Sequence, residues 1–154
     1  VQKPDLMTAG KALRVGATVG RADLFPAEPG RMGGTWAEGN ALSTAVGYRT
    51  IAVIEGEGLL QNASRMGERL LAGLRDLAGR HRHVVEARGL GLMAAVELDT
   101  RERRGAVVRA ALARGLVLLG CGVKAIRLLP PLDVTEREIG MALDLLDKSL
   151  ADAP

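Results

Sequence analysis

The chain has 154 residues, enough for one ordinary domain or for a small domain joined to part of a larger one. Hydrophobic residues make up 47% and charged residues 25%, and a net charge of +3 with only one Phe, one Trp and one Tyr argues against nucleic-acid binding. One cysteine excludes an intrachain disulfide framework, and two histidines argue against a metal site. No segment resembles a membrane span or a signal peptide, so the expected location is the cytoplasm.

Short apolar segments and turn residues fill the chain up to Asn40. The segments LMTAG and VGATVG, between Asp5 and Gly20, are predicted to be extended, although the first half shows no matching strands of its own. RADLFPAEPG and RMGGTWAEGN are rich in proline and glycine and are predicted to be loops. From Asn40 onward, one long helix is predicted in two parts from apolar residues at helical spacing. These residues are Leu42, Val46, Ile51 and Ile54, then Leu59, Met66, Leu70, Leu74 and Leu77.

The second half is predicted to run strand, strand, helix, strand, strand, helix. VVEAR, the glycine turn GLG and LMAAVEL indicate an antiparallel pair, and RERRGAVVRAALARG indicates a helix that ends at Gly115. LVLLG and AIRLL are the next two strands, and Thr135 with Glu138 forms a capping box before the last helix. A small antiparallel sheet with helices on one face buries both helix stripes, so the predicted fold class is α+β.

Lys11 is the first candidate functional residue. It lies among Ala9, Gly10, Ala12 and Gly16, small neighbours that would let a bulky planar ring approach. A lysine amine in such a setting can form a Schiff base with a carbonyl cofactor such as pyridoxal phosphate. The alternative is a lysine that snorkels near a strand end, and spacing alone favours that alternative.

Two further residues fit the same chemistry. Thr35, in GGTW, could present its hydroxyl to a phosphate ahead of a helix, although Thr35 or Asn40 could equally serve as that helix's cap. Arg127, between two apolar residues of a predicted strand, should point away from them, and its guanidinium suits a carboxylate. Its alternative is a structural salt bridge with a glutamate such as Glu97.

Other motifs give no site. RGLGLMA matches a G-x-G-x-x-A pattern, but a strand follows it, so a hairpin turn is predicted instead of a dinucleotide loop. Cys121 has no nearby histidine in sequence and is predicted to be a partly buried, inert thiol. His81 and His83 are predicted to be solvated cations at a helix end, with no catalytic role.

Four segments in one order resemble a known family. PDLMTAGKAL, GGTWAEGN, VVEARGLGLMAAVEL and AIRLLPPLDVTEREIGMALDLL together resemble the C-terminal portion of class III pyridoxal-phosphate aminotransferases, a group that includes 4-aminobutyrate, acetylornithine, ornithine and lysine 6-aminotransferases. The resemblance implies a fold-type I enzyme, with residues 1–56 forming the end of the large cofactor-binding domain and an interdomain helix. Residues 57–154 would form the small C-terminal domain of a homodimer.

The resemblance also implies roles for the three candidates. Lys11 would form the Schiff base with pyridoxal 5'-phosphate and move a proton between the substrate Cα and the cofactor. Thr35 would bind the cofactor phosphate, usually that of the neighbouring subunit, and Arg127 would hold the carboxylate of the amino or oxo acid. The implied reaction moves an amino group between an omega-amino or diamino acid, of 4-aminobutyrate, ornithine or lysine type, and a 2-oxo acid.

Some features depart from the family pattern. RVGATVG and AEGNA resemble the lysine or 4-aminobutyrate branch more than the acetylornithine branch. In the family, the aspartate on the pyridine nitrogen, the stacking aromatic and the glycine loop all precede the lysine, so the chain by itself is not expected to transaminate efficiently. Two alternatives stay open: an amino-acid racemase of the same fold, and a non-catalytic dimerisation or interaction module with exposed apolar surface on residues 5–55.

Overall fold

The computed structural model of the chain describes residues 4–28, 31 and 39–153. The chain divides into two compact units, Val1–Glu57 and Gly58–Pro154. Within the described residues each unit has its own sheet, with two strands in the first and four in the second.

The described part of the first unit contains a small hairpin and one α-helix. Strands β1 (Leu6–Ala9) and β2 (Ala17–Gly20) pair in antiparallel register, with Ala9 opposite Ala17. The two extended segments therefore pair with each other, contrary to the expectation that the first half lacks matching strands. Helix α1 (Ala41–Gly56) begins where the Asn40 side chain accepts hydrogen bonds from the Leu42 and Ser43 amides.

The long helix predicted from Asn40 is two helices. Helix α1 ends at Gly56, and helix α2 spans Leu59–Arg80. Gly58 separates them with a φ of 63°, in the left-handed region that ends a helix and that glycine adopts without steric cost. The prediction of one continuous helix is wrong because the helical spacing of apolar residues continues across Gly58, which is not in the helical conformation.

The second unit is an α+β domain. Its antiparallel sheet has the strand order β3-β4-β6-β5, and helices α2, α3 and α4 complete it. The elements after α2 are β3 (Val84–Leu90), β4 (Met93–Leu98), α3 (Arg101–Ala113), β5 (Leu119–Cys121), β6 (Ala125–Leu128) and α4 (Glu136–Ala151). The predicted order of elements and the predicted hairpin turn after β3 are confirmed.

Helices cover one face of this sheet, as predicted. Alternate residues of β4 are buried, and β6 continues the same face with Ile126 and Leu128. The helices bury leucine and other apolar side chains against it, at about 1.5–3 kcal/mol for each large one. The central helix residues are Leu70, Leu74, Leu77, Val107, Ile139, Leu146 and Leu150.

Local capping fixes where two helices begin and end. The Thr135 hydroxyl accepts from the Glu138 amide while the Glu138 carboxylate accepts from the Thr135 amide, so the predicted capping box is confirmed. At the end of α3, Gly115 has a φ of 83°, and the Gly115 and Leu116 amides donate to the carbonyls of Leu112 and Ala111. This arrangement is a Schellman motif, which confirms Gly115 as the residue that ends α3.

A pair of glycines allows α2 to approach the β3–β4 turn. A Cβ built on Gly67 would lie 2.3 Å from the backbone carbon and oxygen of Gly91. Only a hydrogen atom fits there, so the two backbones are in direct contact. Gly79, in the same helix, has no atom within 4 Å of such a Cβ.

These two glycines make a matched test of the packing. Gly67→Ala should lower the free energy of unfolding by about 1–3 kcal/mol, because the backbone at Gly91 must move. Gly79→Ala should be neutral or stabilising by up to about 1 kcal/mol, because alanine favours helix and nothing is displaced. Urea unfolding followed by circular dichroism measures both. Equal effects of the two substitutions would contradict the close contact.

Candidate functional site

Lys11 lies on the connection between β1 and β2. It begins a 3₁₀ turn, Lys11–Leu13, in which the Leu13 amide donates to the Gly10 carbonyl and the Arg14 amide donates to the Lys11 carbonyl, both at 3.1 Å. Lys11 has a φ of 45° and Arg14 a φ of 59°. Each left-handed residue of this kind costs about 1–2 kcal/mol unless its surroundings hold it, so the turn is a strained element.

The Lys11 side chain has open space around it. It is exposed and forms no ion pair or side-chain hydrogen bond with any residue that the structure describes. A Cβ added at Gly16 would meet nothing within 4 Å, and one added at Gly10 would come no closer than 3.8 Å to another atom. The surroundings of Lys11 therefore fit the approach of a planar carbonyl cofactor such as pyridoxal phosphate.

Thr35 lies outside the described residues, so its predicted contact with a phosphate stays a prediction. Of the two residues considered as the cap of α1, the structure has Asn40 in that place, with its side-chain oxygen 3.0 Å from the Leu42 amide nitrogen. The helix thus has its cap without requiring the Thr35 hydroxyl.

Arg127 points to the face of the sheet that the helices leave open. Ile126 and Leu128 are buried on either side of it, and it is exposed, with Ala95 opposite on β4 and Leu119 opposite on β5. Arg127 also lines a cavity of about 420 Å³ that is walled mainly by apolar residues of the same unit. The orientation predicted from strand alternation is confirmed.

The alternative role of Arg127 as a partner of Glu97 is wrong. Glu97 accepts from Arg88 at 3.0 Å and lies 3.9 Å from the Lys124 ammonium. Within the described part of the chain, Arg127 has no acidic partner and no side-chain hydrogen bond. Its guanidinium is therefore free to bind an external carboxylate in the bidentate geometry that arginine favours.

Comparison with known proteins decides the family. The aminotransferase class-III family model matches residues 2–150. The acetylornithine aminotransferase of Nostoc sp. is 39% identical over 97% of this chain and 36% of its own length. The L-lysine-epsilon aminotransferase of Amycolatopsis lactamdurans is 37% identical over 97% of this chain and 35% of its own length.

A solved structure agrees with these relatives. The lysine aminotransferase from M. tuberculosis in the internal aldimine form superimposes with a TM-score of 0.88 and is 34% identical, covering 99% of this chain and 36% of that one. This chain belongs to the class III aminotransferase family. It spans slightly more than a third of the length of the relatives it matches. Identities of 39% and 37% do not separate the acetylornithine branch from the lysine branch, so the branch expected from RVGATVG and AEGNA gains no support.

Sequence reasoning missed a residue that packs against the Lys11–Leu13 turn in this class III aminotransferase chain. Gly47 is the one buried residue of α1, and a Cβ built there would lie 2.7 Å from Val15 Cγ1. A glycine in the middle of a helix costs about 1 kcal/mol relative to alanine, which is the available signal that another segment approaches it. The sequence does not say which segment that is.

Cys121 and the histidines differ from their predicted states. Cys121 is exposed, not partly buried, and no cluster of metal-ligating side chains occurs among the residues that the structure describes. No helix in the same described ranges is long and apolar enough to cross a membrane.

His81 is mostly buried, and its Nε2 lies 2.6 Å from the Asp147 carboxylate on α4, where Arg80 also donates at 2.6 Å. These two contacts, the histidine first, hold the pKa of Asp147 below its usual range.

His83 also differs from its predicted state. Burial, and then the positive charge of Arg103 on α3, lower the pKa of His83, while Asp99 and the Leu150 backbone oppose the shift. Its Nε2 is buried and has no hydrogen-bond partner among the residues that the structure describes. The neutral ring is therefore the form that the folded chain favours.

This lowered pKa predicts acid sensitivity. The unfolded chain takes up a proton near the ordinary histidine pKa of 6.5, whereas folded His83 takes it up only at a lower pH. The stability linked to His83 is therefore fully present above pH 6.5 and is lost as the pH falls through the lower folded pKa. Urea unfolding at about pH 7.5 and about pH 5.5 should show that His83→Asn loses less stability over this interval than the unmodified chain. Arg82→Asn, at the exposed neighbouring position, controls for net charge. Identical losses for the unmodified chain and His83→Asn would refute the assignment.

Proposed function

We propose that this chain is the C-terminal part of a pyridoxal-phosphate-dependent aminotransferase. The whole enzyme moves an amino group between an omega-amino or diamino acid and a 2-oxo acid, and it acts as a cytoplasmic homodimer. Family membership supports this proposal, and the observation that carries it to a site is the exposed Lys11 amine on a strained turn with open space around it.

Each of the three residues has a separate task in this proposal. Lys11 binds the cofactor through Nζ and, when that amine is free, takes and returns a proton at the substrate carbon that carries the amino group. Thr35 donates its hydroxyl to the cofactor phosphate. Arg127 binds the substrate carboxylate with two parallel hydrogen bonds and so orients the amino or oxo acid. When bound, pyridoxal phosphate supplies the electron sink that makes loss of the proton possible.

The role of Arg127 is supported by what surrounds it. On the open face, Arg88 lies in the same row as Arg127, beyond Ala95, and it contacts Glu86 at 2.6 Å and Glu97 at 3.0 Å. Arg127 faces Ala95 and Leu119 in its own row, and neither can neutralise it. A substrate carboxylate would therefore find one unpaired guanidinium beside an apolar wall.

Reductive trapping tests the role of Lys11. The chain is mixed with pyridoxal phosphate and reduced with borohydride, and the phosphopyridoxyl adduct is located by peptide mass spectrometry. We expect labelling concentrated on Lys11, with Lys3, Lys124 and Lys148 as internal competitors and Lys11→Ala as the control. Labelling spread evenly over the four lysines would count against the cofactor site and favour a non-catalytic interaction module.

A titration tests the role of Arg127 independently of the cofactor. Glutarate, a dicarboxylate without a reactive group, should shift the Arg127 Nε–H resonance in the nuclear magnetic resonance spectrum more than that of ion-paired Arg88. Arg127→Lys should bind glutarate about tenfold more weakly or worse, because an ammonium cannot make the bidentate contact. The proposal for Arg127 fails if all arginine side chains respond alike.

A further inference from the structure

Helix α1 approaches the Lys11 turn at one glycine. A Cβ built on Gly47 would lie 2.7 Å from Val15 Cγ1 and 3.2 Å from the Leu13 carbonyl oxygen, both shorter than ordinary van der Waals contact. Gly47 is also the one buried residue in α1. The helix and the turn are therefore close enough that only a hydrogen atom fits between them.

The contacted atoms lie within the strained part of the turn and directly after it. Leu13 lies between Lys11 and Arg14, the two residues with positive φ, and Val15 follows directly after them. Such conformations persist where the surrounding structure holds them. Among the described residues, α1 is the helix that packs on this turn.

We infer that Gly47 is a positioning residue for Lys11: its lack of a side chain lets α1 support the Lys11–Leu13 turn and hold the Lys11 backbone in its left-handed conformation. This inference rests on the proposed function, in which Lys11 Nζ binds the cofactor.

The contact makes a distinctive prediction for substitution by alanine. Alanine is a better helix former than glycine, so Gly47→Ala would strengthen an isolated α1. In this structure it must displace either α1 or the turn, because Val15 is β-branched and stiff and the second contact is a backbone oxygen. A destabilising effect of Gly47→Ala therefore comes from the contact with the turn, because the effect on helix propensity alone would be stabilising.

The experiment uses the 154-residue chain and four proteins: unmodified, Gly47→Ala, Gly47→Ala with Val15→Ala, and Gly56→Ala. Gly56 ends the same helix, and a Cβ there meets nothing within 4 Å, so Gly56→Ala is the matched control. The first measurement is hydrogen exchange of the Leu13 and Arg14 amides, which close the turn. The second is borohydride trapping of pyridoxal phosphate, expressed as the ratio of Lys11 labelling to Lys124 labelling.

We expect Gly47→Ala to speed exchange of the two turn amides about tenfold and to lower the labelling ratio by a similar factor. Val15→Ala removes the closer of the two contacts, so the double variant should recover most of both effects. Gly56→Ala should match the unmodified chain. A merely structural role would lower thermal stability without changing the labelling ratio.

Two further results would overturn the inference. One is an exchange rate of the Leu13 and Arg14 amides that is the same in Gly47→Ala as in the unmodified chain. The other is a double variant that recovers neither measurement. Failure of the proposed function looks different: the exchange rates would follow the predicted pattern, while Lys11 in the unmodified chain would be labelled no more than Lys124.

Discussion

The four-stranded sheet of the second unit is buried on one face only, and this constraint decides which of its side chains reach the open face. Ile126 and Leu128 must face the helices, because the core includes them with Leu70 and Leu74. Side chains alternate along a strand, so Arg127 between them has to face the other way. Burial of the apolar side chains on one face therefore leaves the Arg127 side chain on the open face.

The first unit has little buried surface, so its candidate residue Lys11 is positioned in a different way. Several of its large apolar side chains are exposed, among them Leu42 at 75% and Tyr48 at 78%. Its candidate residue, Lys11, is instead held by a hairpin connection, two turn hydrogen bonds and a glycine contact from α1. The two residues with positive φ each cost about 1–2 kcal/mol, and this small set of contacts offsets that cost.

Regular periodicity made much of the second unit predictable from the sequence. The alternation in LMAAVEL, the Thr135–Glu138 capping box and the glycine that ends α3 each depend on residues close together in the chain, and each appears as predicted. The orientation of Arg127 follows from the same short-range rule. Membership of the class III aminotransferase family was visible in the order of four segments, no one of which is specific alone.

The features that sequence did not show depend on contacts between distant residues or on one backbone angle. Gly58 interrupts the helix without interrupting the apolar spacing, so only its φ of 63° reveals the break. His81 meets Asp147 across 66 positions of the chain, so a side chain expected to be solvated is mostly buried against α4. Gly47 meets Val15 across the first unit, and its sequence neighbours give no indication of that contact.

The two candidate residues that the structure describes therefore respond to mutation in different ways. Arg127 is fixed by the core of its unit, so substitutions that loosen that core affect folding before they affect the direction of one side chain on a paired strand. Lys11 is fixed by a strained turn with few buried contacts, so a displacement of a few tenths of an ångström at Gly47 can relax its backbone while the rest of the fold persists. The proposed amine and the proposed carboxylate-binding arginine thus lie in different compact units, and the contacts that fix each residue belong to its own unit.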